Sequence, residues 1–275
     1  MAQNQAIQPQ LSKSEQTGLR QLAHELADAA RVETLRHFRA GIATDNKDDS
    51  GYDPVTEADR AAERVMRALI QEKRPDDGIL GEEYGNLAGM SGLTWVLDPI
   101  DGTRGYVSGT PTWGVLIAIA DADGPIYGLI DQPYIGERFE GGFGFAGVNG
   151  PMGAKDLATL PYRPLSAATI LSTFPEIGSQ DEHRRFTAVA RQVRLVRYGM
   201  DCYGYALLAA GQVDLVIEAG LFPYDVNAPI AVIEAAGGVV TNWQGGPAHD
   251  GGTVLAAANP QIHAEALAIL MASNG

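Results

Sequence analysis

Trp95-Val96-Leu97-Asp98-Pro99-Ile100-Asp101-Gly102-Thr103 is an apolar run that ends on a carboxylate, meets a proline and turns through a second carboxylate into Gly-Thr. Residues 94–97 read as a buried strand, and Pro99, which has no N–H, is expected to stop it. Carboxylates leaving one strand end can converge on divalent cations, for which hard oxygen donors are the fitting ligands. Gly102 lets backbone N–H groups approach a phosphate, and a turn N-terminus favours an anion. Taken alone, D-x-x-D-G-T reads equally well as a metal-binding strand end and as an acidic turn.

Short apolar runs surround this strand. Residues 78–80, 114–120 and 126–130 read as strands and 138–147 as a hairpin, so the segment after Pro75 is expected to form one largely antiparallel sheet. On its N-terminal side, Leu19, Leu22, Ala23, Leu26, Ala29, Ala30 and Leu35 recur at helical spacing and predict a helix over 14–39. Ala58, Ala61, Ala62, Val65, Met66, Leu69 and Ile70 predict a second over 56–73, with Thr56 as N-cap and Asp59 in its first turn. Residues 40–54 between them read as a polar loop. On the C-terminal side the elements alternate: strands at 169–172, 194–198, 213–218, 238–241 and 253–257, helices at 180–192, 203–210, 226–236 and 261–271. The expected organisation is a disordered N-terminus over 1–12, an α+β subdomain over 13–153 and an α/β subdomain over 154–275, packed closely enough to share a site.

Composition narrows the function classes. The 275 residues carry 34 acidic against 20 basic side chains, a net charge of −14, which repels nucleic acid overall. Carboxylates crowded at one place are tolerated only where cations neutralise them, although most of these acids simply solvate the surface. Cys202 is the only cysteine, which excludes a disulfide within the chain and fits a reducing cytoplasm; it reads as buried packing. The N-terminal stretch has no apolar core of a secretory signal, and the apolar runs are too short to span a membrane. The expectation is a soluble, cytoplasmic protein. His24, His37, His183, His249 and His263 show no metal-like clustering, and Arg184-Arg185 reads as an exposed helix face.

Two further acidic pieces join the first. Gly81-Glu82-Glu83 directly follows a strand, where adjacent acids need a cation or solvent. Tyr224-Asp225-Val226-Asn227-Ala228-Pro229 opens the helix that ends in Glu234-Ala235-Ala236-Gly237-Gly238, and there Asp225 also reads as a plain N-cap. With Asp53-Pro54-Val55-Thr56-Glu57-Ala58-Asp59, these stretches resemble, in order and spacing, the inositol monophosphatase family of magnesium-dependent, lithium-sensitive phosphatases. The likeness covers nearly the whole chain after residue 15. It implies the mixed α+β / α/β fold of that family, a layered α-β-α-β-α sandwich, and a homodimeric phosphoric monoester hydrolase with two to three Mg2+ ions per site.

Carried over residue by residue, the resemblance makes Glu82, Asp98, the Ile100 carbonyl, Asp101 and Asp225 metal ligands. Gly102 and Thr103 resemble the phosphate-cradling pair, and Asp59 the acid that pairs with that threonine. Glu218, Gly199, Met200 and Asp201 match substrate-contacting positions. In the route this implies, Glu82, Asp98 and the Ile100 carbonyl serve the attacking water, Thr103 polarised by Asp59 takes a proton from it, and Asp98, Asp101 and Asp225 serve the leaving oxygen. Tyr224 stands where the family usually has tryptophan, and Asn227-Ala228-Pro229 replaces an Ala-rich helix start.

The substrate is read from other residues. Gly199-Met200-Asp201-Cys202-Tyr203-Gly204-Tyr205, together with Arg104-Gly105-Tyr106 and Gly109-Thr110-Pro111-Thr112-Trp113-Gly114, resembles the histidinol-phosphate phosphatase branch. Histidinol phosphate carries an ammonium group, which Asp201 and Glu218 would complement; a neutral polyol needs hydrogen bonds there but no extra negative charge. Asp201 also reads as the N-cap of the helix over 203–210. The expected activity is magnesium-dependent hydrolysis of L-histidinol phosphate, a step of histidine biosynthesis. The alternatives are an inositol-1-monophosphatase or a broad sugar or nucleotide monophosphatase and, from another class, a non-catalytic metal-binding regulator.

Overall fold

The helices begin with capping chemistry. In the computed structural model, which describes residues 11–41, 44–46 and 54–272, Ser12 and Glu15 close a reciprocal capping box at the start of α1 (Lys13–His37). Ser12 therefore belongs to an ordered helix start and not to a disordered terminus, because its hydroxyl and the Glu15 carboxylate satisfy two backbone donors. The rest of the segment expected to be disordered, 1–10, lies outside the described residues, as do Asp53 and most of the polar loop. β1 (Thr44–Asn46) and β2 (Pro54–Thr56) pair antiparallel. α2 (Glu57–Lys73) repeats the capping device: Thr56 is its N-cap, and Asp59 accepts the Thr56 N–H at 2.8 Å.

Next come β3 (Gly78–Gly81), β4 (Gly85–Leu87), β5 (Thr94–Asp101), the short α3 (Thr103–Ser108), β6 (Gly114–Asp121), β7 (Gly124–Gln132), β8 (Glu137–Gly142), β9 (Phe145–Gly150) and β10 (Gly153–Asp156). Eight of these strands form one sheet in the order β10-β9-β8-β7-β6-β5-β3-β4. Every pair is antiparallel except β3 with β5. Pro99 does not stop β5. The ladder slips between Asp98 and Asp101 and resumes at Asp101 opposite Gly114; a bulge needs no ladder N–H, so proline fits it.

The remainder supplies β11 (Thr169–Ser172), α4 (Gln180–Ala190), β12 (Leu195–Tyr198), α5 (Asp201–Ala209), β13 (Leu215–Leu221), α6 (Pro223–Ala235), β14 (Val239–Thr241), β15 (Gly252–Ala257) and α7 (Pro260–Ala272). Its five strands run β12-β11-β13-β15-β14, parallel on both sides of β11 and antiparallel on both sides of β15.

Side-chain alternation along the strands stacks the layers. Trp95 and Leu97 of β5 face Leu22 and Leu26 of α1 and Met66 and Ile70 of α2. Val96, on the opposite face, joins Val226, Val232 and Ile233 of α6 and Val216 of the second sheet. The far side of that second sheet, with Ile170 and Ile217, is covered by Phe186 of α4 and Ile262 and Leu270 of α7. The result is α1/α2, sheet, α5/α6, sheet, α4/α7, the layered sandwich expected. The central strands of both sheets, β5, β6, β11 and β13, are buried over most of their length on both faces, which explains their near-continuous apolar runs. A polar clamp holds α1 on the large sheet: Asp131, fully buried, accepts from Arg31 at 2.6 Å and from Arg138 at 2.7 Å.

A carboxylate-lined cavity between the sheets

The bulge in β5 puts two acids at one spot. Asp98 is buried, and its Oδ1 accepts the Ile100 N–H at 3.0 Å, which folds the chain back toward Asp101. Asp101 is fixed across the molecule: its Oδ2 accepts the Cys202 N–H at 2.6 Å. Asp225 arrives from the first turn of α6, where its Oδ2 accepts the Phe222 N–H at 2.7 Å. One oxygen each of Asp98, Asp101 and Asp225 lies within 4.8 Å of the others. Glu82 follows β3, the parallel neighbour of β5; its N–H donates to Leu97 O at 3.2 Å, and it lines the same cavity of about 330 Å³.

Among the described residues that cavity is walled by six acidic side chains (Glu82, Asp98, Asp101, Asp201, Glu218 and Asp225) and one basic one, Arg104. Burial, together with the charges of Glu82, Asp101 and Asp225, pushes the Asp98 carboxyl well above its ordinary range. Asp101 is pushed up to about 8, first by burial, then by the charges of Asp225 and Asp201, against the lowering effect of the Cys202 N–H. Like charges held this close by backbone donors are relieved by a multivalent cation. The donor set is all hard oxygen, and Asp98, Asp101 and Asp225 form a group that could hold a metal ion.

Gly102 and Thr103 stand beside the cluster. Gly102 has φ +84°, and a Cβ there would lie 2.7 Å from Asp201 Cγ, so backbone and space both demand glycine. The Thr103 hydroxyl donates to Ile100 O at 3.0 Å and reaches Asp59 Oδ1 at 3.4 Å. Asp59 lies behind Thr103 and off the cavity wall. Its other oxygen is held by the Thr56 hydroxyl at 2.5 Å and the Thr56 N–H, so one carboxylate serves both the α2 cap and Thr103.

Asp201 does not cap α5. It takes a left-handed conformation, φ +46°, and its carboxylate instead accepts the Thr112 hydroxyl at 2.9 Å. Burial raises its pKa against the opposing effects of Thr112 and Arg104. Glu218, on β13, accepts from the Thr173 N–H at 2.6 Å, its hydroxyl at 2.9 Å and Ser172 Oγ at 3.3 Å. Burial nonetheless pushes it up to about 8. Gly199 and Met200 are not on the wall: Gly199 donates to Ser172 O and Thr173 O, and Met200 packs against the core.

Sequence reasoning passes over several supports. Thr112, Thr173 and the Cys202 N–H bind the acids but carry no periodic signal. Glu63, fully buried, accepts the Glu83 and Tyr84 N–H groups at 2.7 and 3.2 Å and so fixes the turn that bears Glu82. Tyr205 lines the cavity with a buried hydroxyl that has no hydrogen-bond partner among the described residues. The Asn227 amide, buried in α6, ties Pro223 O to His249 O at 2.7 and 2.8 Å, which gives that departure from the family pattern a structural role.

The profile of the inositol monophosphatase family matches residues 15–274. The chain belongs to the inositol monophosphatase family. It is 40% identical to the bifunctional phosphatase IMPL2, chloroplastic, of Arabidopsis thaliana over 86% of this chain and 67% of that one. To a histidinol-phosphatase of Streptomyces coelicolor it is 37% identical, over 90% of this chain and 95% of the relative. To the inositol-1-monophosphatase ImpA of Mycolicibacterium smegmatis it is 34% identical, over 95% of each. A solved inositol monophosphatase from Zymomonas mobilis superposes with a TM-score of 0.83 at 36% identity, covering 94% of this chain and 100% of that one. The carboxylate-lined cavity is thus that of a phosphatase of this family, with an acidic group able to hold metal. Among the described residues no helix is long and apolar enough to cross a membrane.

Proposed function

We propose that this phosphatase hydrolyses L-histidinol phosphate to L-histidinol and phosphate, with magnesium as its metal. One observation carries this reading. Glu218, buried, and Asp201, half-buried, are two carboxylates on the cavity wall, outside the Asp98–Asp101–Asp225 group, and they suit an ammonium group on the alcohol half of the ester. The similarity to histidinol-phosphatases at 34–37% identity supports it.

Glu82, Asp98, the Ile100 carbonyl, Asp101 and Asp225 are the residues proposed to hold two to three Mg2+ ions. When bound, magnesium acidifies a water and neutralises charge on the phosphoryl and leaving oxygens. The chain's own residues do the rest. Thr103 Oγ1 takes a proton from the attacking water while its own passes toward Asp59 Oδ1. Gly102 and Thr103 cradle the phosphate, and the Cys202 and Phe222 N–H groups hold the carboxylates of Asp101 and Asp225 in position. Asp201 and Glu218 bind the ammonium group, with Gly199 and Met200 shaping the turn that presents Asp201. Residues 13–153 and 154–275 are proposed as two subdomains sharing this site in a cytoplasmic homodimer.

Inositol phosphate hydrolysis is the second reading, favoured by the similarity to ImpA at 34% identity. The deciding experiment measures kcat/KM on L-histidinol phosphate, myo-inositol 1-phosphate and adenosine 3′,5′-bisphosphate, with magnesium and with EDTA. The expected result is a preference of about tenfold or more for histidinol phosphate, lost in EDTA. A comparable preference for inositol phosphate, or undiminished activity in EDTA, refutes the proposal.

A further inference from the structure

Phosphate and ammonium account for the polar wall of the cavity, and neither accounts for its aromatic rim. Two rings that line it stand largely in solvent: Phe174 is 42% exposed and Phe222 57%. Exposed rings on a wall otherwise rich in carboxylates are available to a flat apolar group in the cavity. Phe174 already has a partner, with the Arg104 guanidinium carbon 5.1 Å from its ring centroid. Phe222 is stacked on Tyr224 with centroids 5.3 Å apart and planes at 22°, which occupies one face of its ring.

The placement of Phe222 is fixed by backbone. Pro223 follows it and favours the extended conformation it adopts, φ −104° and ψ 167°. Its N–H donates to Asp225 Oδ2 at 2.7 Å. The turn that presents a carboxylate to the cluster therefore also presents the ring.

We propose that Phe222 is a specificity-determining residue that stacks a planar heteroaromatic ring, of the imidazole type, carried on the alcohol half of the substrate. This deepens the histidinol phosphate reading and rests on it. A flat ring gains offset stacking on the open face of Phe222, and a protonated one adds cation–π attraction in a cavity walled by six acids. An inositol ring has no π face to offer.

The test compares kcat/KM for L-histidinol phosphate and for 2-aminopropyl phosphate, which keeps the ester and the ammonium group but has no ring. Wild type, Phe222→Leu and Phe222→Trp are assayed. Phe222→Leu is expected to lower the preference for the ring-bearing ester about tenfold, chiefly through KM, and Phe222→Trp to retain it. The Phe222→Leu melting temperature stays that of wild type, because the bond to Asp225 is made by backbone. An unchanged preference in Phe222→Leu, an equal loss in Phe222→Trp, or a loss that tracks a fall in melting temperature overturns the proposal. Wild type preferring myo-inositol 1-phosphate about tenfold defeats the substrate reading and this one with it. Wild type preferring histidinol phosphate, with an unaltered ratio in Phe222→Leu, defeats this one alone.

Discussion

Replacing Asp225 by asparagine should stabilise the metal-free protein and weaken the metal-loaded one. Asp225 and Asp101 have oxygens within 4.8 Å of each other. Two unit charges at 4.8 Å repel by about 3.5 kcal/mol at an effective dielectric of about 20. Local relaxation leaves about 2 kcal/mol to be relieved by Asp225→Asn, while the asparagine oxygen can still accept the Phe222 N–H. For a chain of this size that is a rise in melting temperature of roughly 4–8 °C in EDTA. The pH must be set with care. Asp101 has a folded pKa of about 8 against 3.8 ordinarily, so the folded state binds the extra proton between those values. Metal-free wild type therefore loses stability as pH rises across that window. The gain from Asp225→Asn is full at about pH 8.5, where Asp101 ionises, and shrinks toward about pH 5.5, where Asp101 keeps its proton. Magnesium reverses the order: at about a hundred times its Kd it stabilises wild type by about 2.7 kcal/mol, and the variant gains little. Turnover of the variant falls about a hundredfold or more. Thermal unfolding in EDTA and in magnesium at the two pH values measures all of this. A variant that melts below wild type in EDTA at high pH, or that responds to magnesium as wild type does, refutes the reasoning.

Among the described residues Asp131, fully buried, has two guanidinium partners, and Arg138→Met removes one of them and leaves Arg31, whose side chain is 31% exposed. It should cost about 2 kcal/mol and lower the melting temperature by roughly 4–8 °C, with kcat retained because the clamp is away from the cavity; an unshifted melting curve contradicts this. Tyr205→Phe deletes a buried hydroxyl that has no hydrogen-bond partner among the described residues. The variant should be as stable as wild type or up to about 1 kcal/mol more so, and a clear loss in a denaturant titration would mean that the hydroxyl is bonded in solution.

Much of the site is legible in the chain because acids stand where apolar periodicity ends. Asp98 directly follows the apolar run Trp95–Leu97 of β5, and Asp225 stands in the first turn of α6, so strand and helix signals place both without tertiary knowledge. What escapes is set by contacts between distant segments. Pro99 signals a strand end, yet the strand continues, because Gly114 on the partner strand meets Asp101 across a bulge that needs no proline N–H. Asp201 has the composition of an N-cap but spends its carboxylate on Thr112, in the space that Gly102 and Gly105 leave open. Glu63 sits among charged neighbours on α2 like a solvated helix acid, and it is buried because the turn after β3 supplies two N–H donors. The alternating second half announces an α/β unit, but the antiparallel return of β15 between β13 and β14 has no local signature. β4 and β10 are exposed along their lengths, so they lack the alternation that reveals a strand.

Pro229 lies inside α6, four residues beyond Asp225. It has no N–H to offer the Asp225 carbonyl, so one rung of the helix ladder is missing just behind the carboxylate. Downstream, the helix is clamped in the middle layer by Val232 and Ile233. Upstream, its first turn is held by side bonds from Asn227 and by the Phe222 N–H. With that rung absent, Asp225 is held in place by the bonds of its own turn and by the burial of Val226, Asn227 and Ala228 rather than by an unbroken helix ladder.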